Sequence, residues 1–216
     1  MAFSLFDTAA PEGPFSVLTV CTGNVCRSPL AAQLLQKALR GTPSSVGSAG
    51  IQALVGEPMT EQNQRIAVDL GVTSAEHHRA RQLTPAMLRD ADLVLALSRE
   101  HRRAAVEMLP RAARKTFTLR EFGRLAAALD PDELDQTSPA AVAESSGPDL
   151  AQRMRYAVEA IARIRGTIPP PMALEDDDVI DPFQQSDAVY ERSAEQIVPA
   201  LNATSLLLRG AAIGRG

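Results

Sequence analysis

One short segment of this 216-residue chain combines the residue types that bind a phosphate group with those that attack it. The segment consists of Cys21, Thr22, Gly23, Asn24, Val25, Cys26, Arg27, Ser28 and Pro29. Backbone N–H groups at the start of a helix lack partners within the helix, so such a turn forms an anion-binding nest. Arg27 adds a planar guanidinium that can bind two phosphate oxygens at once. The segment therefore predicts a loop that holds a phosphate beside a cysteine.

Cys21 is the predicted nucleophile of this loop. A helix N-terminus and a neighbouring arginine favour the thiolate form of a cysteine, which is the reactive form. Gly23 and Asn24 tolerate positive φ angles, which a loop curling around an anion requires. Ser28 can donate a hydrogen bond to the sulfur, and Pro29 suits the first turn of a helix. The alternative is a buried structural cysteine in a strand-to-helix turn.

The elements around the loop indicate how it is held. Apolar runs alternate with helical patterns along the chain, which predicts a parallel α/β sheet with right-handed crossovers. The predicted strands are Phe15–Val20, Ser45–Ser48, Leu93–Leu97 and Thr116–Leu119. The predicted helices are Ser28–Leu39, Thr60–Leu70, Pro85–Asp90, Arg99–Met108, Arg120–Leu129, Asp149–Arg165 and Asp187–Leu208. In such a sheet a ligand binds outside the carboxyl ends of the strands, where the loop begins.

The segment Val17-Leu18-Thr19-Val20-Cys21-Thr22-Gly23-Asn24-Val25-Cys26-Arg27-Ser28-Pro29-Leu30-Ala31 resembles the signature of the low-molecular-weight protein tyrosine phosphatases. Further segments also resemble that family, namely Ser48-Ala49-Gly50, Val55-Gly56-Glu57-Pro58, His78-Arg79-Ala80-Arg81-Gln82-Leu83-Thr84, Ala91-Asp92-Leu93-Val94-Leu95 and Asp181-Pro182-Phe183. The resemblance covers roughly residues 15–125 and 178–210. It implies a single three-layer domain whose four-stranded parallel sheet, in the order 2-1-3-4, is flanked by helices.

The resemblance also implies a role for three residues. Cys21 is the nucleophile that forms a cysteinyl-phosphate, Arg27 binds the phosphate, and Asp181 is the general acid that protonates the leaving group. A positioned acid is worth about 10²–10⁴-fold in rate. The alternative for Asp181 is that it only starts a turn, because Asp-Pro is a common turn pair. No cofactor and no metal is expected, and a zinc site would have to recruit histidines to the two cysteines.

Other candidate residues have two interpretations each. By resemblance, Cys26 is a redox partner that protects Cys21 from irreversible oxidation, whereas the simpler alternative is a small packed side chain. The patch of His77, His78, Arg79 and Arg81 is either solvated, which we favour, or a modest site for acidic peptide residues. The acidic residues 176–178 are expected to be solvated linker charges.

The predicted substrate cleft departs from the family pattern. Phosphotyrosine enzymes of the family usually have two aromatic residues after the acid's proline, but here Phe183 is followed by two glutamines. Leu54 stands in a region where an aromatic wall is often found. A phosphoarginine phosphatase would be expected to carry threonine in place of Val25. An arsenate reductase would need an external thiol, since the chain has two cysteines. A non-catalytic phosphopeptide-binding module is the third alternative.

The bulk properties bound the organisation of the chain. We predict an N-terminal extension at 1–14, a phosphatase domain at 15–210 with an atypical insertion at about 124–178, and a tail at 211–216. Within the insertion, residues 130–146 have the composition of an extended loop.

A net charge of −4 argues against nucleic-acid binding, and no apolar run predicts a membrane span. The few cysteines and the lack of a signal peptide predict a cytoplasmic location. The expected partner is a phosphorylated protein, and the oligomeric state is left open.

Overall fold

The computed structural model describes residues 13–129 and 150–213, and in it four strands form one parallel sheet. The strands are β1 (Phe15–Cys21), β2 (Ser44–Gly50), β3 (Leu93–Ala96) and β4 (Thr116–Thr118). Their order is β2-β1-β3-β4, and every neighbouring pair is parallel. The predicted fold class and strand order are therefore confirmed.

Helices follow or connect the strands. They are α1 (Arg27–Ala38), α2 (Glu61–Asp69), α3 (Pro85–Asp90), α4 (Arg99–Met108), α5 (Leu119–Ala128), α6 (Leu150–Ile164) and α7 (Asp187–Ile213). Short 3₁₀ turns lie at Ala75–His77, Pro110–Lys115 and Leu174–Asp177. In the part of the chain that the structure describes, no helix combines the length and apolar character that crossing a membrane requires.

The core has two parts because alternate strand residues face opposite sides of the sheet. On one side Val17 and Leu95 join the larger apolar cluster, which includes residues of α1, α5, α6 and α7. On the other side Leu18 and Val94 pack with a smaller cluster that includes Leu88 of α3 and residues of α4. Burial on both faces gives the three-layer arrangement and fixes the sheet that carries the loop.

Side-chain N-caps begin α3, α4 and α5, whereas the Thr60 side chain, which the sequence suggests as the cap of α2, makes no cap hydrogen bond. The Thr84 and Ser98 side chains accept hydrogen bonds from backbone N–H groups of Met87 and His101, as N-caps do. The prediction that the last helix runs to about Leu208 and is ended by Gly210 was wrong, because α7 continues through Gly210 to Ile213. Ala211 and Ala212 are buried, and this packing outweighs the helix cost of about 1 kcal/mol for glycine.

The described part of the insertion belongs to the domain core. Met154 and Ile161 of α6 are fully buried in the larger apolar cluster. Arg165, just after α6, pairs with Glu121 at 2.6 Å and lies 4.3 Å above the Phe117 ring centroid. The loop predicted at 130–146, the extension before residue 13 and the last three residues of the predicted tail lie outside the described residues.

Candidate active site

The phosphate-binding loop, residues 21–28, joins β1 directly to α1. Cys21 ends the strand and Arg27 begins the helix, so the first turn of α1 opens onto the loop. Asn24 has a φ of 57°, in the left-handed region that asparagine tolerates. The end of β2 passes so close that a Cβ on Gly50 would lie 2.3 Å from the Thr22 carbonyl oxygen. Glycine is therefore required at position 50 for this approach.

Asn24 holds the loop from behind. It is fully buried, and its side-chain Nδ2 donates to Ser28 Oγ at 2.9 Å. Its Oδ1 accepts from the backbone N–H of Arg81 at 2.9 Å, and its carbonyl oxygen lies 2.7 Å from His78 Nε2. His78, which is half-buried, and the backbone of Arg81, whose side chain is exposed, thus support the loop, a role that the interpretation as a solvated patch did not include.

Ser28 is placed to serve the Cys21 sulfur. Its Oγ lies 2.9 Å from Cys21 Sγ, and both side chains are buried. Because Asn24 donates its amide hydrogen to the same oxygen, the Ser28 hydroxyl hydrogen is free to point at the sulfur or at the Ala49 carbonyl oxygen, which is farther away at 3.4 Å. A hydroxyl donor at this distance stabilises a negative charge on the thiolate.

Arg27 brings Asp181 to the loop from 154 residues away in sequence. Its Nη2 donates to Asp181 Oδ2 at 2.6 Å, and its Nη1 donates to the Val179 carbonyl oxygen at 3.1 Å. The third nitrogen, Nε, is buried and has no hydrogen-bond partner among the described residues. A buried donor without a partner is costly, so Arg27 retains an N–H group that an oxyanion would satisfy.

A cavity of about 250 Å³ opens in front of the loop. It is lined by Cys21, Thr22, Gly23, Val25, Cys26, Arg27, Gln52, Leu54, Asp181 and Phe183. Leu54 and Phe183, the predicted cleft residues, are 43% and 40% exposed, so each offers an apolar surface at the mouth. Gln52 was not predicted. The cavity therefore unites the predicted catalytic residues with the predicted cleft.

His101 is a second residue that the sequence did not single out. It is 1% exposed, with Nε2 at 2.8 Å from Thr22 Oγ1 and Nδ1 at 2.9 Å from Ser98 Oγ. Burial, followed by the positive charge of Arg27, lowers the pKa of His101 to about 3. His101 is therefore neutral at physiological pH and supports the loop by hydrogen bonds. Its position after the Ser98 cap was the only signal in the sequence.

Cys26 is buried on the far wall of the loop. Its Sγ lies 3.6 Å from Thr60 Oγ1 and 3.9 Å from the Tyr190 hydroxyl. Burial raises the pKa of Cys26 to about 11, so it is a thiol at neutral pH. Both cysteines are free. The redox role of Cys26 stays a prediction.

The segment before Asp181 is fastened to the domain by ion pairs. Asp178 accepts hydrogen bonds from the Arg99 backbone N–H at 2.7 Å and from the Arg99 guanidinium at 3.0 and 3.1 Å. Asp177, whose side chain is 14% exposed, pairs with Arg124 at 3.2 Å. Burial raises the pKa of Asp177, and Arg124 opposes that shift. These acids are therefore anchored, and the expectation of solvated linker charges was wrong for both.

Backbone contacts complete the anchoring. The Val179 N–H donates to the Leu97 carbonyl oxygen at 2.9 Å, at the end of β3. Arg120 Nη1 donates to the Asp178 carbonyl oxygen at 2.9 Å, and the Ile180 N–H donates to Gln196 Oε1 at 2.8 Å. The segment that carries Asp181 is thus held by residues of four different elements.

The comparison with protein families agrees with this geometry. The family model described as low molecular weight phosphotyrosine protein phosphatase matches residues 16–145, which is more than half of the chain. The chain belongs to this family. The matched range contains the loop of this phosphatase but ends before Asp181.

Named relatives of this low molecular weight phosphatase include two bacterial enzymes. The low molecular weight protein-tyrosine-phosphatase Etp of Escherichia coli K12 is 42% identical over 102 residues, covering 47% of this chain and 67% of Etp. The protein-arginine-phosphatase of Geobacillus stearothermophilus is 41% identical over 110 residues, covering 50% of this chain and 72% of the relative.

Solved structures of the family share the fold. The YwlE arginine phosphatase from Geobacillus stearothermophilus has a TM-score of 0.61 and 27% identity, covering 91% of this chain and 94% of YwlE. Wzb of Vibrio vulnificus, solved with benzylphosphonate, has a TM-score of 0.60 and 24% identity, covering 90% of this chain and 99% of Wzb. At that identity the second likeness concerns the fold alone.

Proposed function

We propose that this phosphatase hydrolyses phosphotyrosine in protein substrates through a cysteinyl-phosphate intermediate. The observation that carries the proposal is that Cys21, Arg27 and Asp181 line one cavity, although Asp181 lies far from the other two in sequence. A thiolate, a phosphate-binding guanidinium and a carboxylic acid are the three groups that this reaction needs.

The substrate phosphate is held by the loop and by Arg27. Backbone N–H groups of the loop and the first turn of α1 bind the phosphate oxygens, and the unpartnered Arg27 Nε adds a charged donor. The phosphate dianion also acts on Asp181, because a second negative charge beside a carboxylate favours its protonated form. Phosphate binding therefore prepares the acid for proton donation.

The reaction proceeds in two displacements at phosphorus. The Cys21 thiolate attacks in line, the bond from phosphorus to the tyrosine oxygen breaks, and Asp181 gives its proton to that oxygen. A water molecule then attacks the cysteinyl-phosphate while Asp181 takes its proton. The phosphorus–sulfur bond breaks and Cys21 leaves as a thiolate, which the Ser28 hydroxyl stabilises from 2.9 Å.

The cavity lining favours an aromatic substrate over phosphoarginine, which the Geobacillus stearothermophilus relative is named for. Val25, Leu54 and Phe183 offer apolar contacts to a phenyl ring. A substrate guanidinium would need acceptors, and among the described lining residues Asp181 is the only carboxylate, already paired with Arg27. We also propose that the enzyme is cytoplasmic, because a reducing compartment keeps a thiolate nucleophile from being oxidised.

Two peptides of one sequence, carrying phosphotyrosine or phosphoarginine, would test the substrate assignment under reducing conditions. We expect kcat/KM to favour phosphotyrosine by about 100-fold or more, and Val25→Thr to narrow that ratio. A preference for phosphoarginine in the unmodified enzyme would overturn the substrate class. Binding of phosphotyrosine peptide without any turnover would overturn the reaction and support a binding module instead.

A further inference from the structure

A second cleft, of about 360 Å³, lies beside the free edge of β2 and away from the catalytic cavity. Its walls come from α1, from residues 46–48 of β2 and from the turn at residues 74–81. None of the residues that line it also lines the catalytic cavity. The cleft has the size of a small-molecule pocket, since such pockets measure about 300–1,000 Å³.

Four permanent cations line this cleft: Lys37, Arg40, Arg79 and Arg81. No carboxylate is part of the described lining, although the chain as a whole has a net charge of −4. None of the four makes an ion pair with a described residue. The nearest acid in sequence, Glu76, is not part of the lining, and its carboxylate lies 3.2 Å from His77 Nδ1. The cleft therefore concentrates uncompensated positive charge.

The hydrogen bonds of these cations use only some of their donors. Lys37 Nζ donates to the Leu70 carbonyl oxygen at 2.7 Å, Arg81 Nε donates to the Ser48 carbonyl oxygen at 2.7 Å, and Arg79 Nη1 donates to carbonyl oxygens of its own turn. These bonds orient the side chains, while other N–H groups of each cation remain for a ligand. Burial lowers the pKa of His78, the hydrogen bond to the Asn24 carbonyl oxygen opposes this shift, and the charges of Arg81 and Arg79 lower the pKa further.

The backbone of β2 is adapted to this arrangement. A Cβ on Gly47 would collide with the Arg81 guanidinium, so the absence of a side chain allows Arg81 to lie across the strand. The same arginine also holds Asn24 of the catalytic loop through its backbone N–H. The cleft and the loop thus share two supporting residues, Arg81 and His78.

One wall of the cleft also carries an unsatisfied acceptor. Gln33 of α1 lines the cleft, and its Oε1 has no hydrogen-bond partner among the described residues; because this oxygen is covered, a ligand contacts it only when the Gln33 amide turns toward the cleft. A buried polar atom in this state is costly and is satisfied by any hydroxyl or N–H group that reaches it. Inorganic phosphate keeps a P–OH donor near neutral pH, so the volume of the cleft, and not this atom alone, indicates a larger ligand.

We propose that this cleft binds a small phosphorylated molecule, a sugar phosphate or nucleotide, whose phosphate contacts the four cations and whose hydroxyl or N–H group reaches Gln33. The cations match a phosphate and the acceptor matches a donor on the rest of the ligand. The volume leaves room for both parts. The site does not depend on the proposed catalysis, since neither the cations nor Gln33 line the catalytic cavity.

The test is a titration of the full chain with adenosine 5′-monophosphate, followed by backbone amide NMR. Alkylation of Cys21 with iodoacetamide first blocks the catalytic cavity, and intact mass verifies a single addition. Failure of Cys21 to react would count against the proposed catalytic thiolate but not against the cleft. We expect the NMR signals of the Val46, Gly47 and Ser48 amides to shift and to reach saturation as the nucleotide is added. Sodium chloride keeps the ionic strength constant throughout the titration.

Lys37→Gln combined with Arg40→Gln removes two of the cations without touching His78 or Arg81, which support the catalytic loop. We expect this variant to bind the probe at least tenfold more weakly. The matched control is Arg103→Gln combined with Arg192→Gln, which removes two exposed cations from α4 and α7. Its affinity should stay within about twofold of the unmodified chain, because charge removed at a distance is screened by salt.

Comparison of probes decides the ligand class. Adenosine 5′-monophosphate and glucose 6-phosphate should bind at least tenfold more tightly than inorganic phosphate, while adenosine alone should not saturate the shifts. Equal affinity for inorganic phosphate would show that the rest of the ligand adds no binding energy and would overturn the assignment of a sugar phosphate or nucleotide. The site itself would be overturned if the shifts did not saturate or if both paired variants weakened binding equally.

Discussion

The phosphate-binding loop and the segment that carries Asp181 perform one reaction in our proposal, but they are built in different ways. The loop is continuous in sequence, and its own backbone and the first turn of α1 form the site. The Asp181 segment is placed by side chains of distant residues, chiefly Arg99, Arg124 and Arg27. A site formed by backbone groups can therefore be recognised from a short sequence motif. The ion pairs that position the Asp181 segment cannot be recognised in that way.

The two regions should also respond differently to substitution. The loop has internal hydrogen bonds, such as the bond from Asn24 to Ser28. We therefore expect its geometry to be kept when the Cys21 sulfur is replaced. Asp181 has a half-exposed side chain, and the position of its segment relies on partners that lie 53 to 154 residues away. The following predictions test this difference, beginning with the largest effect.

Cys21→Ser should reduce kcat by about 10⁴-fold or more, because loss of a covalent nucleophile removes the reaction path. Binding of inorganic phosphate should change little, since Arg27 and the loop amides remain. Hydrolysis of an aryl phosphate and phosphate titration by calorimetry measure the two effects. The matched control, Cys26→Ser, should keep kcat within about tenfold, because serine retains the polar contacts to Thr60 and Tyr190. Loss of turnover in the Cys26 variant alone would reverse the assignment.

Asp181→Asn should reduce kcat by about 10²–10⁴-fold, since asparagine cannot supply a proton. The loss should be smaller with dinitrophenyl phosphate, whose leaving group needs no protonation. Asp187→Asn is the control, because Asp187 is an exposed acid at the start of α7 whose contact with Arg65 is 3.6 Å long. An equal loss for both leaving groups would show that Asp181 is not the acid.

Arg99→Gln should reduce kcat by about 10-fold, because the Asp178 anchor three residues before Asp181 is released and the acid is less well positioned. The dependence of kcat on the leaving group should resemble that of Asp181→Asn, which a purely structural loss would not produce. Arg103→Gln, on the same helix, breaks only an exposed pair with Glu107 and should leave kcat unchanged. Unaltered kcat in Arg99→Gln would mean that the backbone contacts alone hold the segment.

His101→Asn should make stability less sensitive to acid. The pKa of His101 is about 3 in the folded protein against an ordinary 6.5, so below pH 6.5 the unfolded chain takes up a proton that the folded chain does not. Acid therefore favours unfolding, by about 1.4 kcal/mol per pH unit for one proton. Urea unfolding at pH 7, 6 and 5 should show that the stability of the wild type falls more steeply than that of the variant. Parallel pH profiles would contradict the buried neutral histidine.

Much of the fold was predictable because its signals are local. The alternation of strands and helices, the Thr84 and Ser98 caps and the loop itself all depend on residues within a few positions of one another. The end of α7 was not predictable, because Ala211 and Ala212 are held in the helix by packing that outweighs the effect of Gly210.

The residues that support the site were not predictable, because their contacts are with residues far away in the sequence. His78, Arg81 and His101 looked like ordinary polar surface residues, yet each contacts the catalytic loop from 54 to 79 positions away. Asp177 and Asp178 lie in an acidic run typical of a solvated linker. Their ion pairs with Arg124 and Arg99, which lie on other helices, show that Asp177 and Asp178 are not part of a solvated linker.

The amino-acid sequence by itself determined the family, the parallel α/β fold and a loop suited to binding phosphate beside a thiol. Those properties follow from residue type and short-range spacing, because backbone amides and local side chains form the site. The tertiary structure decided that Asp181 reaches Arg27, that buried polar residues brace the loop, and that four cations meet beside β2. Such placements depend on how distant elements pack against one sheet, and no local pattern encodes that packing.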